Sequence, residues 1–338
     1  PTLNTASNFN DTNANKKCIT VNLRSERGLD LIKQLISRSD IVVENFSARA
    51  LKSWGLGYDE MCKLKPDIVY VSQSGFGHTG RHSNYLTMGP IAQAFCGLTF
   101  LSGLPGEAPA GWGWSYLNDT GGMYIAFSTM TSLYRRNMTG QGQHVDLSQM
   151  IMGATLNGAA MLEASATGRP SQREGFPPGN RAHWPGTPMV NNYRGPTTAP
   201  HNAYRTKGGG YNDWCAITCF SDNEWRRLVA VMGSPQWATS PKFTTLLNRL
   251  QYQEELDQGI QEWSSTLEKY ELMDKCQAAG VPAMPVQSTE NRVDHDPQLR
   301  HREIYQEMEH PELGLRKFQN APFKQSDPPA LMKQPSPH

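Results

Sequence analysis

Residues 40–77 read DIVVENFSARALKSWGLGYDEMCKLKPDIVYVSQSGFG, and the alternation inside this stretch decides the fold class. DIVVENF (40–46) is a short apolar run, the mark of a buried strand. Ala48 to Trp54 reads as a short helix stopped by Gly55, and residues 59–65 as another, stopped by Pro66. IVYVSQSGFG (68–77) is then a further strand running into a glycine-bearing loop. Just upstream, CITVNL (18–23) reads as a strand, and ERGLDLIKQLISR (26–38) places Leu29, Ile32, Leu35 and Ile36 on one helical face. Strand, helix, strand, helix, strand is the order of a parallel α/β sheet. Ligands of such sheets gather beyond the carboxyl ends of the strands. Here those ends carry Glu44-Asn45-Phe46 and Ser72-Gln73-Ser74-Gly75-Phe76.

Working outward, GGMYIAFSTMTSLYRR (121–136) is a long helix whose two arginines complement its C-terminal dipole. A turn at Thr139–Gln143, a short strand HVDLS and a mostly apolar helix over 149–167 follow. Residues 168–202 turn rich in Pro, Gly, Asn and Arg without periodicity, as a linker does. YRTKGGGYNDWCAITCF fits a hairpin, NEWRRLVAVMG a helix, 248–279 further amphipathic helices, and VPAMPVQS (281–288) a strand edge. The expected organisation is a parallel α/β body over 1–175, a linker over 176–200, a second α/β body over 201–290, and a final segment over 291–338 that becomes Pro-rich from 311.

Composition excludes several classes. The 338 residues carry 32 basic and 31 acidic side chains, a formal charge of +1. That balance argues against nucleic acid and against an anionic membrane. No run approaches the roughly eighteen apolar residues of a membrane span. Pro1 to Asp11 is polar, shows no secretory signal and reads as a cut or processed end. Cys215 and Cys219 share a strand face about 13 Å apart, too far for a disulfide. Scattered free thiols suit a reducing cytoplasm, and the sequons at Asn10, Asn45, Asn118 and Asn137 read as chance. The histidines form no metal constellation. Gly208-Gly209-Gly210 reads as a hairpin turn rather than a phosphate cradle, and Gly75, Gly77 and Gly80 lack the Gly-Lys-Ser/Thr ending of a nucleotide loop. Trp112 and Trp114 suit either an acyl-pocket wall or the core, and His144 reads as a surface residue.

Several separated segments together resemble one family. Asn13-Ala14-Asn15-Lys16-Lys17 before an apolar run, Val43-Glu44-Asn45-Phe46 with Leu56-Gly57-Tyr58, and Ser72-Gln73-Ser74-Gly75-Phe76-Gly77-His78-Thr79-Gly80 come first. Thr139-Gly140-Gln141-Gly142-Gln143-His144-Val145-Asp146, Ala199-Pro200-His201 through Tyr204, and Asp296-Pro297-Gln298-Leu299 follow in the same order. This pattern is similar to that of the family III CoA-transferases. The resemblance implies a Rossmann-like large domain, a small α/β domain, two interlocked chains, and a family opening β-α-β segment and C-terminal helix that lie outside this sequence. It implies acyl-CoA and a carboxylic acid as substrates, with CoA as substrate and no permanently bound cofactor. For CoA it points to Lys16 and Lys17 near the diphosphate, Asn45 and Phe46 beside the pantetheine or adenine, and Ser74, Gly75 and Phe76 as further CoA-binding residues, with Gly75 and Gly77 letting the backbone approach a thioester closely.

In that family an aspartate attacks the thioester, forming a mixed anhydride and releasing CoA thiolate. Only a carboxylate can form such an anhydride and leave again. Counting back from Leu133-Tyr134-Arg135-Arg136 and Thr139-Gly140, the nucleophile's column falls on Asn118, with Asp119 one residue on and Gly122 four on. Three readings follow: an active transferase with Asp119 as nucleophile, a non-catalytic CoA-site-bearing subunit paired with an active paralogue, or a racemase. The racemase reading needs a histidine where Met88 stands. Asp119 also suits a plain helix cap or first-turn acid. A homodimer and a heteromer with a paralogous chain are both compatible with the resemblance.

Overall fold

The computed structural model describes residues 3–102, 108–113, 116–168, 198–327 and 332–337. A short helix, α1 (Ser7–Thr12), opens the chain and α2 (Glu26–Arg38) follows. The strand expected over 18–23 does not form, and Ile19 lies exposed. An extended segment becomes a strand only when its backbone groups find a ladder partner, and no described strand lies beside this one. Ser25 starts α2 by accepting the Gly28 N–H at 3.1 Å, which satisfies one free amide of the first turn. Leu29 and Ile32 pack with buried Ile36 as expected, whereas Leu35 stays substantially exposed.

The alternation over 40–77 holds: β1 (Ile41–Glu44), α3 (Ala50–Ser53), α4 (Tyr58–Leu64) and β2 (Val69–Ser74). Next come α5 (Gly89–Phe95), α6 (Tyr116–Thr139), β3 (Gln143–Ser148), α7 (Gln149–Leu156) and α8 (Gly158–Thr167). The three strands form one parallel sheet in the order β1-β2-β3, with Val43 opposite Val71 and Val71 opposite Val145. Ile36, Met61, Ile68 and Tyr70 fill one face under α2 and α4, and α6 runs along β2. Two helices differ from the sequence reading. By Tyr116 α6 is already helical, ahead of the glycine pair at which the sequence suggests a start. The helix expected over 149–167 is two, because Asn157 leaves helical geometry and its Nδ2 donates to the Cys96 carbonyl at 2.8 Å.

A second body holds β4 (His201–Arg205), β5 (Trp214–Thr218), α9 (Asp222–Val231), α10 (Leu246–Gln251), α11 (Gln253–Ser264), α12 (Lys269–Ala278) and β6 (Ala283–Pro285). Its sheet is antiparallel, β4-β5-β6, and the glycine triplet sits in the turn between the first two strands. Trp225, Leu228, Leu256, Ile260 and Leu272 close the core together with the unpaired Cys215, Cys219 and Cys276. The expected linker over 176–200 falls almost wholly outside the described residues. Beyond it, α13 (Pro297–His301) leads to an antiparallel pair, β7 (Tyr305–His310) and β8 (Gly314–Gln319), absent from the sequence reading. Residues 332–337 return to the start of the chain, where the Asn15 side chain accepts the Lys333 N–H at 2.7 Å.

Candidate functional site

The carboxyl ends of β1 and β2 border a cavity of about 310 Å3. Asn45 and Phe46 come from the end of β1, Ser74 and Gly75 from the end of β2, Gln149 from α7 and Asn118 from the first turn of α6. Five residues singled out from the sequence therefore meet at one place. Gly75 has a steric reason: a Cβ there would lie 1.6 Å from the Thr87 side chain, which also lines the cavity. Its carbonyl accepts the Met150 N–H at 2.9 Å and the Ser148 hydroxyl at 3.2 Å, tying the loop to the start of α7.

Other sequence candidates lie elsewhere. Phe76 is not a lining residue; its ring packs with His82, Tyr85 and Phe95 at centroid distances of 5.7, 6.0 and 5.1 Å. Lys16 and Lys17 occupy an exposed turn away from the lining, and Lys16 Nζ donates to the Thr12 carbonyl at 2.8 Å, at the end of α1. Trp112 packs on Tyr116 at 5.1 Å, its backbone N–H donates to Gln93 Oε1 at 2.8 Å and its indole N–H to the Ser102 hydroxyl, outside the cavity lining. Trp114 lies outside the described residues, and Met88 lines the cavity.

The rotation of α6 separates Asn118 from Asp119. Gly121 is pressed against the Gln73 carboxamide, and a Cβ there would lie 2.5 Å from Nε2. Asn118 stands three residues earlier and so shares that face of the helix. Its Oδ1 accepts Gln149 Nε2 at 2.8 Å, and its side chain backs onto Gly89. Asp119 is turned about 100° from Asn118. It shares a face with Gly122, where a Cβ would meet nothing within 4 Å, and it is exposed and absent from the lining. Its first-turn position suits the helix dipole.

Glu44 holds the wall in place from behind. Its carboxylate accepts the Phe46 N–H at 2.7 Å and the Tyr70 hydroxyl at 3.0 Å, and His78 Nε2 lies 3.3 Å away. Burial, with the Glu44 charge second, pushes the Tyr70 phenol above its ordinary range. His144 stacks on Tyr70 at 4.7 Å and contacts Ser72 Oγ at 2.8 Å. Partial burial lowers its pKa, which keeps the imidazole neutral near pH 7.

Gln73 and Gln149 were not singled out from the sequence. Gln73 carries a faint signal, a polar residue at the carboxyl end of an apolar strand, and Gln149 carries none. Among the described residues, no group of three or more His, Cys, Asp or Glu side chains is placed to hold a metal ion. No described helix is long and apolar enough to cross a membrane.

Comparison with known proteins identifies the family and the fold. The profile of CoA-transferase family III matches residues 2–338. Succinyl-CoA–D-citramalate CoA-transferase of Chloroflexus aurantiacus is 31% identical over 306 residues, covering 90% of this chain and 71% of that protein. The beta subunit of succinyl-CoA–L-malate CoA-transferase from the same organism is 29% identical, over 80% of this chain and 63% of its own length. A CAIB/BAIF family protein from Brucella suis shares the fold, with a TM-score of 0.82 over 98% of this chain and 81% of that one at 24% identity. The chain belongs to CoA-transferase family III.

Proposed function

We propose that the cavity at the strand ends receives the thioester end of an acyl-CoA, and that the chain serves as a subunit of an assembly that moves CoA from an acyl-CoA to a carboxylic acid. The observation that carries this reading is the placement of Asn118, which lines the cavity in the column of the family's attacking carboxylate while Asp119 faces away. An amide forms no mixed anhydride. The chain therefore holds acyl-CoA without attacking it, and transfer runs on acyl-CoA bound in a paralogous partner chain, whose own copy of the cavity carries the attacking aspartate. One relative is itself named as a subunit. A second chain also has a surface to cover: Met123, Phe127, Met130, Tyr134 and Met138 form a stripe along α6, each about two-thirds exposed. Spacing of three and four residues gives such a stripe one helix face, and contiguous apolar surface of this kind marks an interface. Lys16 and Lys17 are the proposed contacts of the CoA diphosphate, as point charges. Free cysteines suit a reducing compartment, and we place the protein in the cytoplasm.

The test begins with calorimetric binding of CoA, which a Lys16→Ala, Lys17→Ala double variant weakens several-fold; unchanged affinity removes both lysines from the site. Wild type incubated with acyl-CoA gives no mass adduct on the peptide containing residues 118–119. Asn118→Asp gains an adduct that hydroxylamine traps, since Gln149 Nε2 already donates at that position. An adduct on wild type that disappears in Asp119→Ala assigns the attack to Asp119 and overturns the binding-subunit reading.

A further inference from the structure

The stretch between β2 and α5 supplies part of the cavity wall and has no role so far. Tyr85, Leu86 and Met88 all line the cavity. Leu86 is 90% exposed, and Tyr85 and Met88 are each 56% exposed. A single bare leucine on a protein surface is ordinary. Three large apolar side chains within four residues, all on the wall of one cavity, form a patch that a ligand or a partner covers. Ligand cavities owe most of their binding surface to apolar walls of this kind.

Two close contacts tie this wall to the thioester position. Thr87 packs on Gly75, where a Cβ would lie 1.6 Å from the threonine methyl. Gly89 backs onto Asn118, where a Cβ would come within 3.1 Å of the Asn118 Oδ1. Met88 stands between Thr87 and Gly89 in the chain, so it borders the space in front of Asn118. Leu86 follows two residues further out, at most about 7 Å along the chain. A group leaving the Asn118 position along this wall meets Met88 first and Leu86 next. Asn45 and Phe46, at the end of β1, are the side expected for the CoA arm, which leaves the 85–88 wall to the acyl chain. The covalent bond between the two halves of an acyl-CoA puts that chain next to the thioester, where the bare side chains are.

Resting on the reading of this cavity as the thioester site, we propose that Tyr85, Leu86 and Met88 form the acyl subsite, and that the protein selects acyl-CoA thioesters with an aliphatic tail of several carbons. Full burial of one methylene raises affinity about four-fold. This wall covers one side of the tail and leaves the other to water, so roughly half of that free energy, about two-fold per methylene, is expected here.

In calorimetric titrations of the full chain, affinity rises along acetyl-, butyryl- and hexanoyl-CoA, and hexanoyl-CoA binds at least about ten-fold more tightly than acetyl-CoA. The double variant Leu86→Ser, Met88→Ser flattens the series and brings that ratio below about three-fold. Leu86→Met, which keeps apolar bulk on the wall, retains the ratio. Because the readout is a ratio between two thioesters, a general loss of CoA affinity leaves it unmoved. Leu86 is also too exposed for its replacement to disturb the fold. A flat series in wild type overturns the apolar-acyl assignment. A ratio that survives in the double variant overturns the role of this wall, and loss of self-association in that variant would then assign the patch to a second chain. Failure of the wild type to bind free CoA overturns the thioester reading itself, an outcome distinct from the others.

Discussion

The two sheets of this protein treat their buried polar groups in opposite ways. In the antiparallel body the buried cations are closed in. Arg249, fully buried, donates to the carbonyls of Ala199 and Phe243 and to Asp222 at 2.7–3.0 Å. Lys269 Nζ reaches the carbonyls of Asn212 and Val286 and the side chain of Asn291 at 2.9–3.1 Å. Only threonine hydroxyls, at Thr198 and Thr206, lack partners there among the described residues. The parallel body instead leaves Gln73 and Ser74 open at the end of β2 and an apolar stripe bare on α6. Closed networks rigidify a scaffold. Open ends mark where a ligand or a partner completes the structure.

If the antiparallel body is a closed scaffold, emptying its centre has the largest effect. Trp225 is 2% exposed, and its ring is covered by Arg249 at 5.5 Å and flanked by Trp237 and Phe243. Trp225→Ala should cost about 3–5 kcal/mol in denaturant unfolding. A loss below about 1 kcal/mol would show that the body does not depend on this core.

The same body should also carry a pH signature. Burial raises the Asp257 carboxyl from 3.8 to about 6, against the lowering effect of hydrogen bonds from Tyr204 and Asn202. The folded carboxyl thus holds its proton where the unfolded one has lost it. Stability therefore falls as pH rises from about 4 to about 6 and is flat above, by at most about 3 kcal/mol for a shift of this size. Unfolding measured across that range should show the fall in wild type and not in Asp257→Asn. A wild-type curve that rises with pH through this window, beyond what the variant shows, would contradict the burial argument.

The smallest effect on stability belongs to the open body. Met130→Arg on the bare stripe should change unfolding by no more than about 0.5 kcal/mol in the isolated chain, yet should abolish association with a second chain in sedimentation. Unaltered assembly in that variant would separate the stripe from any interface.

Much of the lining of the candidate cavity was legible in the sequence. Asn45, Phe46, Ser74, Gly75 and Asn118 were each singled out by motif, and they line one cavity. Gln73 was not, because its significance lies in Gly121, a residue 48 positions away that leaves room for its carboxamide. The strand read over 18–23 failed for a related reason, since an apolar run names a candidate strand but not its neighbour. The break at Asn157 depends on the carbonyl of Cys96, which no local pattern reports. The pair β7 and β8 was hidden by the prolines around it.

By itself, then, the sequence determined the α/β class, the presence of β1 to β3 along the chain, the glycine hairpin of the second body and the family. Apolar spacing, turn residues and motif order act over a few neighbouring positions, so they can be read along the chain. Only the tertiary structure decided which of two adjacent side chains, Asn118 or Asp119, lines the cavity. One residue along a helix is a turn of about 100°, within the uncertainty of any boundary read from sequence. The close approach of Gly121 to Gln73 sets that turn: bulk is excluded on one face of α6, and the amide three residues earlier is carried into the cavity with it.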